Sequence, residues 1–156
     1  MKIILENEQE TELLGSELWR VLPKKCLVFL NGDLGAGKTT LTRGVLRAAG
    51  HKSAVKSPTY TIVEEYNLTG GKLYHFDLYR IKDPEELEWI GIRDYLEEQN
   101  LCFVEWPELG KGYLPEPDIE LTLEQQGDRR VVDIQVLSKD IEHTLILNWK
   151  NSPIVL

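Results

Sequence analysis

The sequence predicts an α/β fold with a largely parallel central sheet and an antiparallel C-terminal extension. Three observations carry this. Two runs of strand length, CLVFLN at 26–31 and LCFV at 101–104, are apolar throughout. Apolar residues at helical spacing separate them, and after Asp118 the texture changes to alternation, IELTLE and VVDIQV around QQGDR. A strand apolar on both faces is covered by helices on both sides, whereas an alternating strand keeps one face in water.

KIIL (2–5) reads as a short strand, and from Thr11 the residues Leu13, Leu14, Leu18, Val21 and Leu22 recur at helical spacing until Pro23 stops them. CLVFLN follows as a buried strand, then a helix from near Thr39 with Leu41, Val45, Leu46 and Ala49 on one face before Gly50. SPTYTIVEEYN (57–67) is rich in strand-forming residues, Gly70-Gly71 marks a turn, and LYHFD (73–77) is the next strand. Asp83-Pro84 announces a helix through ELEWIGIRDYLEEQ, with acids in its first turn. LCFV is the second buried strand, residues 107–117 form a loop, and the alternating pair makes a hairpin at one end of the sheet. EHTLIL (142–147) fits strand or helix equally.

With 156 residues, 42% hydrophobic and 28% charged, the chain reads as one globular domain over 1–156. No repeat, low-complexity tract or linker divides it, and no apolar run approaches the roughly 20 residues that span a bilayer. MKIILENEQE turns acidic after three apolar residues and lacks the apolar core of a secretory signal, so a cytoplasmic protein is expected. Cys26 and Cys102 each lie in an apolar stretch, as buried thiols do in a reducing compartment. His51, His75 and His143 have no paired spacing, so any metal is expected on oxygen ligands. A net charge of −8 repels phosphate backbones, and the His51, Lys52, Lys56 cluster is too small to reverse that.

GDLGAGKT, Gly32 to Thr39, fits GxxxxGK[ST] between a buried strand and a helix, where a P-loop must lie. Gly35 and Gly37 let the backbone curl so that successive N–H groups face phosphate oxygens, Lys38 reaches the β and γ phosphates, and the Thr39 hydroxyl completes a Mg²⁺ shell. The helix N-terminus adds its positive end. A glycine turn with a capping threonine would explain Gly37 and Thr39 but not Lys38, which is unfavourable in a nest of N–H donors without an anion. The expectation is a P-loop NTPase-like three-layer sandwich.

Hydrolysis needs an acid as well. Asp77 and Glu105 each end a strand at the carboxyl edge, where α/β sheets put ligands. The reading places Glu105 near the metal and Asp77 in catalysis, against the alternative that each merely caps a strand. Ser57, Thr59 and Thr61 either sense the γ-phosphate or belong to an ordinary edge strand. Trp106 either shapes the site, anchors a partner or packs inside. A small-molecule kinase would need clustered arginines, yet Arg80 and Arg93 stand apart and 107–117 has none. A nucleotide-dependent switch without useful turnover stays open, although the guanine-reading NKxD pattern is missing.

The P-loop, SPTYTIVEEY, HFDLYR, DPEELE, GIRDY and VEWPE, in this order, make residues 8–117 resemble the bacterial TsaE (YjeE) family. After Asp118 only general texture is similar. The resemblance implies a small P-loop ATPase that works with TsaD and TsaB in forming N6-threonylcarbamoyladenosine at position 37 of tRNA, touching tRNA only indirectly and monomeric when free. By the same resemblance Gly35, Ala36, Gly37, Lys38, Thr39 and Thr40 bind the ATP phosphates, Thr39 and Glu105 hold Mg²⁺, Asp77 serves hydrolysis, and adenine is contacted near residues 7–11.

Overall fold

The computed structural model describes residues 1–149, so the expected domain over 1–156 runs past them. Seven strands form one sheet in the order β1-β7-β6-β2-β5-β4-β3. They are β1 (Lys2–Leu5), β2 (Cys26–Asn31), β3 (Val63–Leu68), β4 (Gly71–Asp77), β5 (Leu101–Glu105), β6 (Ile119–Gln126) and β7 (Arg129–Val136). The pairs β6-β2, β2-β5 and β5-β4 are parallel, and β1-β7, β6-β7 and β3-β4 are antiparallel. The expected parallel centre and C-terminal hairpin are present. A second antiparallel margin, β3 on β4, closes the other edge because the tight turn at Gly70 reverses the chain.

Helices α1 (Glu8–Val21), α2 (Lys38–Ala48) and α5 (Lys139–Trp149) cover one face; α3 (Glu86–Trp89) and α4 (Ile92–Glu97) cover the other. Two cores result. One joins Val28, Leu30 and Phe103 to Leu14, Leu18, Leu41 and Val45; the other joins Leu27, Phe76 and Val104 to Leu87 and Ile92. Tyr95 of α4 meets Tyr74 and Phe76 edge-on, with ring centroids 4.7 and 5.3 Å away.

Helix α1 starts three residues earlier than the apolar spacing suggests. Asn7, extended at φ −158°, accepts the Glu10 N–H at 2.9 Å, while the Glu10 carboxylate accepts the Glu6 N–H at 2.8 Å. A capped polar first turn has no apolar period to reveal it. Contact between α1 and α2 is backbone to backbone: a Cβ on Gly15 would lie 2.2 Å from the Leu41 carbonyl oxygen, and one on Gly44 2.1 Å from that of Glu12. That close approach fixes the position of α2, and therefore of the loop feeding it.

Three expectations change. Residues 58–61 form a turn, so strand β3 begins only at Val63. The single helix after Pro84 is two short ones, because Gly91 adopts a left-handed φ of 75° between them. Pro107–Gly110 is a 3-10 turn inside the expected loop, and EHTLIL lies in helix α5.

Candidate functional site

Register brings the two acids together. Leu30, Glu105 and Asp77 are paired across β2, β5 and β4, and the next row inward is Val28, Phe103 and His75. Val28, Leu30 and Phe103 belong to the core under α1 and α2, so Asp77 and Glu105 point to that same side, at the strand ends where α2 begins. Both are buried, at 4% and 3% exposure.

Strand β2 feeds the loop that returns as α2 at Lys38. Gly37 is left-handed at φ 105°, and a Cβ there would meet Arg130 Nε at 2.8 Å. The positive φ favours glycine, and any Cβ there would have to displace the Arg130 side chain. The Lys38 ammonium donates to the carbonyl oxygens of Gly32 and of Asp33, the latter at 3.3 Å. It stands 3.9 Å from Glu105 Oε1 and 4.4 Å from the centre of the Trp106 ring. The lysine expected to be unfavourable without an anion is thus held by carbonyls, a carboxylate and a ring face. Trp106 reaches over it from a left-handed backbone, φ 55°, and packs on Tyr79 with centroids 5.1 Å apart. Of its three readings, the ring's place beside Lys38 favours shaping the site.

Each acid is oriented. Asp77 Oδ2 accepts from the Thr59 hydroxyl and Oδ1 from the Tyr79 N–H, both at 2.9 Å. The Asp77 N–H donates to the Ile62 carbonyl at 2.8 Å, and Ile62 is left-handed at φ 68°, costly for a β-branched residue. Ser57 and Thr59 share a hydroxyl hydrogen bond of 2.8 Å, whereas Thr61 turns away to Glu64. Glu105 Oε2 is 2.5 Å from His75 Nε2.

A cavity of about 230 Å³ is lined by Gly35, Gly37, Lys38, Thr39 and Thr40, by Ser57, Thr59, Asp77, Glu105 and Trp106, and by Arg130, which lies against Gly37. Of the residues expected to bind phosphate, hold magnesium or serve hydrolysis, Ala36 alone is not part of this lining: its methyl is buried in the core and its N–H donates to the Asp33 carbonyl at 3.1 Å; Thr61 and residues 7–11 also lie outside it. The volume is below that of most whole-ligand pockets, so it suits a phosphate chain with the base lying outside. A larger depression, about 540 Å³, lies between Gly32–Ala36 and Thr122–Gln125 and lacks Lys38 and both site acids.

Arg130 is the residue the sequence reading passed over. It arrives from the far margin of the sheet on β7, its Nη1 3.4 Å from the hydroxyl of the fully buried Thr11 and its buried Nε without a partner among the described residues. On an alternating strand it looks like an ordinary solvated cation, and only β-pairing across β1, β7 and β6 carries it to the loop. The Thr39 hydroxyl and the Glu105 carboxylate are hard oxygen donors in one cavity and fit magnesium. Among the described residues no group of three or more His, Cys, Asp or Glu could hold an ion, so such a cation would draw its remaining ligands from phosphate and water.

Elsewhere, Cys26 and Cys102 are buried free thiols; burial pushes both up, Cys102 to about 12, so neither is a ready nucleophile. Among the described residues no helix is long and apolar enough to cross a membrane.

Comparison with known proteins gives one answer. The sequence model of the family described as "Threonylcarbamoyl adenosine biosynthesis protein TsaE" matches residues 5–132. A protein of Haemophilus influenzae named tRNA threonylcarbamoyladenosine biosynthesis protein TsaE is 58% identical over 111 residues, 71% of this chain and 70% of that one. Its namesake from Rickettsia felis is 36% identical over 153 residues, covering 97% and 88%. The crystal structure of Bacillus subtilis YdiB superposes with a TM-score of 0.82 at 28% identity, over 96% of this chain and 94% of the other. The chain belongs to the TsaE family.

Proposed function

We propose that this protein is a magnesium-dependent ATPase that supports the TsaD and TsaB proteins in forming N6-threonylcarbamoyladenosine at position 37 of tRNA, acting in the cytoplasm as a monomer when free. The observation that carries the ATPase reading is the convergence of Lys38, Thr39, Asp77 and Glu105 on one small cavity at the mouth of the P-loop. The family, whose members are named for threonylcarbamoyladenosine biosynthesis, supports the pathway. The net charge of −8 supports a role beside tRNA-binding partners, with tRNA met only indirectly.

In this reading the backbone N–H groups of the P-loop receive the phosphate chain, and the Lys38 ammonium leaves its carbonyl contacts to follow the β and γ phosphates. Arg130, lying against Gly37, adds a second positive charge to the same cavity. Magnesium, when bound, neutralises charge developing on the phosphates. Thr39 and Glu105 would hold it through oxygen, while Asp77, kept in line by Thr59 and the Tyr79 N–H, orients the attacking water and takes its proton. The water oxygen bonds to the γ-phosphorus as the bond to the bridging oxygen breaks, releasing ADP and phosphate.

The test is ATP hydrolysis by the purified protein, alone and mixed with TsaB and TsaD. Phosphate release without a phosphorylated acceptor, stimulated by the partners, supports the reading. ATP binding with no turnover in either condition would replace it with a nucleotide-dependent switch. The hydrogen bond joining Thr59 to Asp77 would then serve signalling.

A further inference from the structure

His75 is out of place among its neighbours. It is fully buried; its row partners are Phe103 and Val28, and Leu73 stands two residues before it on the same face. An imidazole in such a layer costs stability unless its nitrogens are hydrogen-bonded, and leucine or phenylalanine would fill the space without that cost. Among the described residues its Nδ1 has no partner. Its Nε2 has one, Glu105 Oε2 at 2.5 Å.

The direction of that bond follows from its acceptor. A glutamate that ligates magnesium is a carboxylate and only accepts, so in that reading of Glu105 the ring donates from Nε2. With Oε2 held from below, Oε1 is the oxygen turned to the P-loop, 3.9 Å from the Lys38 ammonium. Without the imidazole the carboxylate is free to rotate about its last torsion and tighten its 3.9 Å ion pair with Lys38 to direct hydrogen-bonding distance. That pair would occupy both the oxygen wanted by a cation and the ammonium wanted by phosphate.

We propose that His75 is a positioning residue: through Glu105 it selects Oε1 as the atom presented to the nucleotide-bound magnesium and keeps the Glu105–Lys38 ion pair at its long 3.9 Å separation. The proposal rests on the reading of Glu105 as a magnesium ligand. It is the hydrogen bond behind a ligand that sets the ligand's direction, and loss of such bonds typically weakens metal binding by about 10- to 100-fold.

The experiment is calorimetric titration with ATP, in chelator and across a Mg²⁺ series, for the wild type and for His75→Leu, His75→Gln and Glu105→Gln. His75→Leu is expected to raise the Mg²⁺ midpoint roughly tenfold or more while ATP affinity in chelator stays within about twofold. Gln keeps an N–H donor and is expected to restore most of the midpoint, a rescue that packing alone would not produce. If the Leu variant fails to fold, His75→Asn replaces it, being polar but too short to reach Oε2. An unchanged midpoint in His75→Leu or His75→Asn, with a shifted one in Glu105→Gln, overturns the role of His75 alone. Equal losses with and without Mg²⁺ also overturn it, since the histidine would then be serving packing. An unchanged midpoint in Glu105→Gln instead removes the metal-ligand reading on which the proposal stands.

Discussion

The two walls of the cavity are built in opposite ways. The P-loop wall is one stretch, Gly35 to Thr40, in which neighbours in sequence are neighbours in space. The facing wall is assembled from Ser57 and Thr59 in a turn, Asp77 on β4, and Glu105 and Trp106 at the end of β5, while Arg130 on β7 lies against Gly37 of the loop. The first wall offers backbone N–H groups and a lysine, which suit binding. The second offers carboxylates held by hydrogen bonds, which suit chemistry. A contiguous wall survives small shifts of the sheet, whereas the assembled one depends on every strand's register.

Lys38→Ala breaks the first wall and should have the largest effect. Several charge-assisted contacts at about 1.5–3 kcal/mol each disappear, so ATP affinity is expected to fall more than about 100-fold by calorimetry. Near-wild-type affinity would show that the loop does not bind through its lysine. Asp77→Asn breaks the second wall and should separate the two functions. Turnover is expected to drop roughly 100-fold or more, the usual worth of a positioned base, with ATP affinity within a few-fold of wild type. A parallel loss of affinity would erase the division of labour between the walls.

Arg130→Gln sharpens the comparison, since it removes a group suited to binding that a distant strand adds to the loop wall. One charged contact predicts about tenfold weaker ATP binding, with adenosine binding unaffected. Equal weakening of adenosine would mean that the guanidinium meets the base. Thr59→Val gives the smallest effect. It removes one of two hydrogen bonds holding Asp77, and a loss of roughly three- to tenfold in turnover at unchanged affinity is expected in steady-state assays. Full activity would make the 57–62 turn a bystander.

Legibility followed the same division. GDLGAGKT between an apolar strand and a helix could be read because each of its demands is local: curled backbone, a cation, a hydroxyl and a helix start. Asp77 and Glu105 were legible as strand-end acids because a sheet's carboxyl edge is a known place for ligands. Their sharing of one row with Leu30 was not, since register is settled by pairing between distant segments. His75 had been weighed only as a zinc ligand, because nothing in HFD says which nitrogen meets which carboxylate. Residues 58–61 were misread as strand since threonine and tyrosine favour strands, while the turn there is held by the Ile62 N–H on the Pro58 carbonyl at 2.8 Å.

By itself the sequence determined the order of strands and helices along the chain, the buried centre of the sheet, the GxxxxGK[ST] loop between strand and helix, and the two strand-end acids. All rest on composition and spacing within about a dozen residues, the range over which periodicity and motif chemistry act. Tertiary structure alone decided that Arg130 covers Gly37, that Thr59 holds Asp77 and that His75 stands behind Glu105. Those contacts join residues 18 to 93 apart along the chain, and only the sheet's pairing order, with the close approach of α1 to α2, brings such residues within hydrogen-bonding distance.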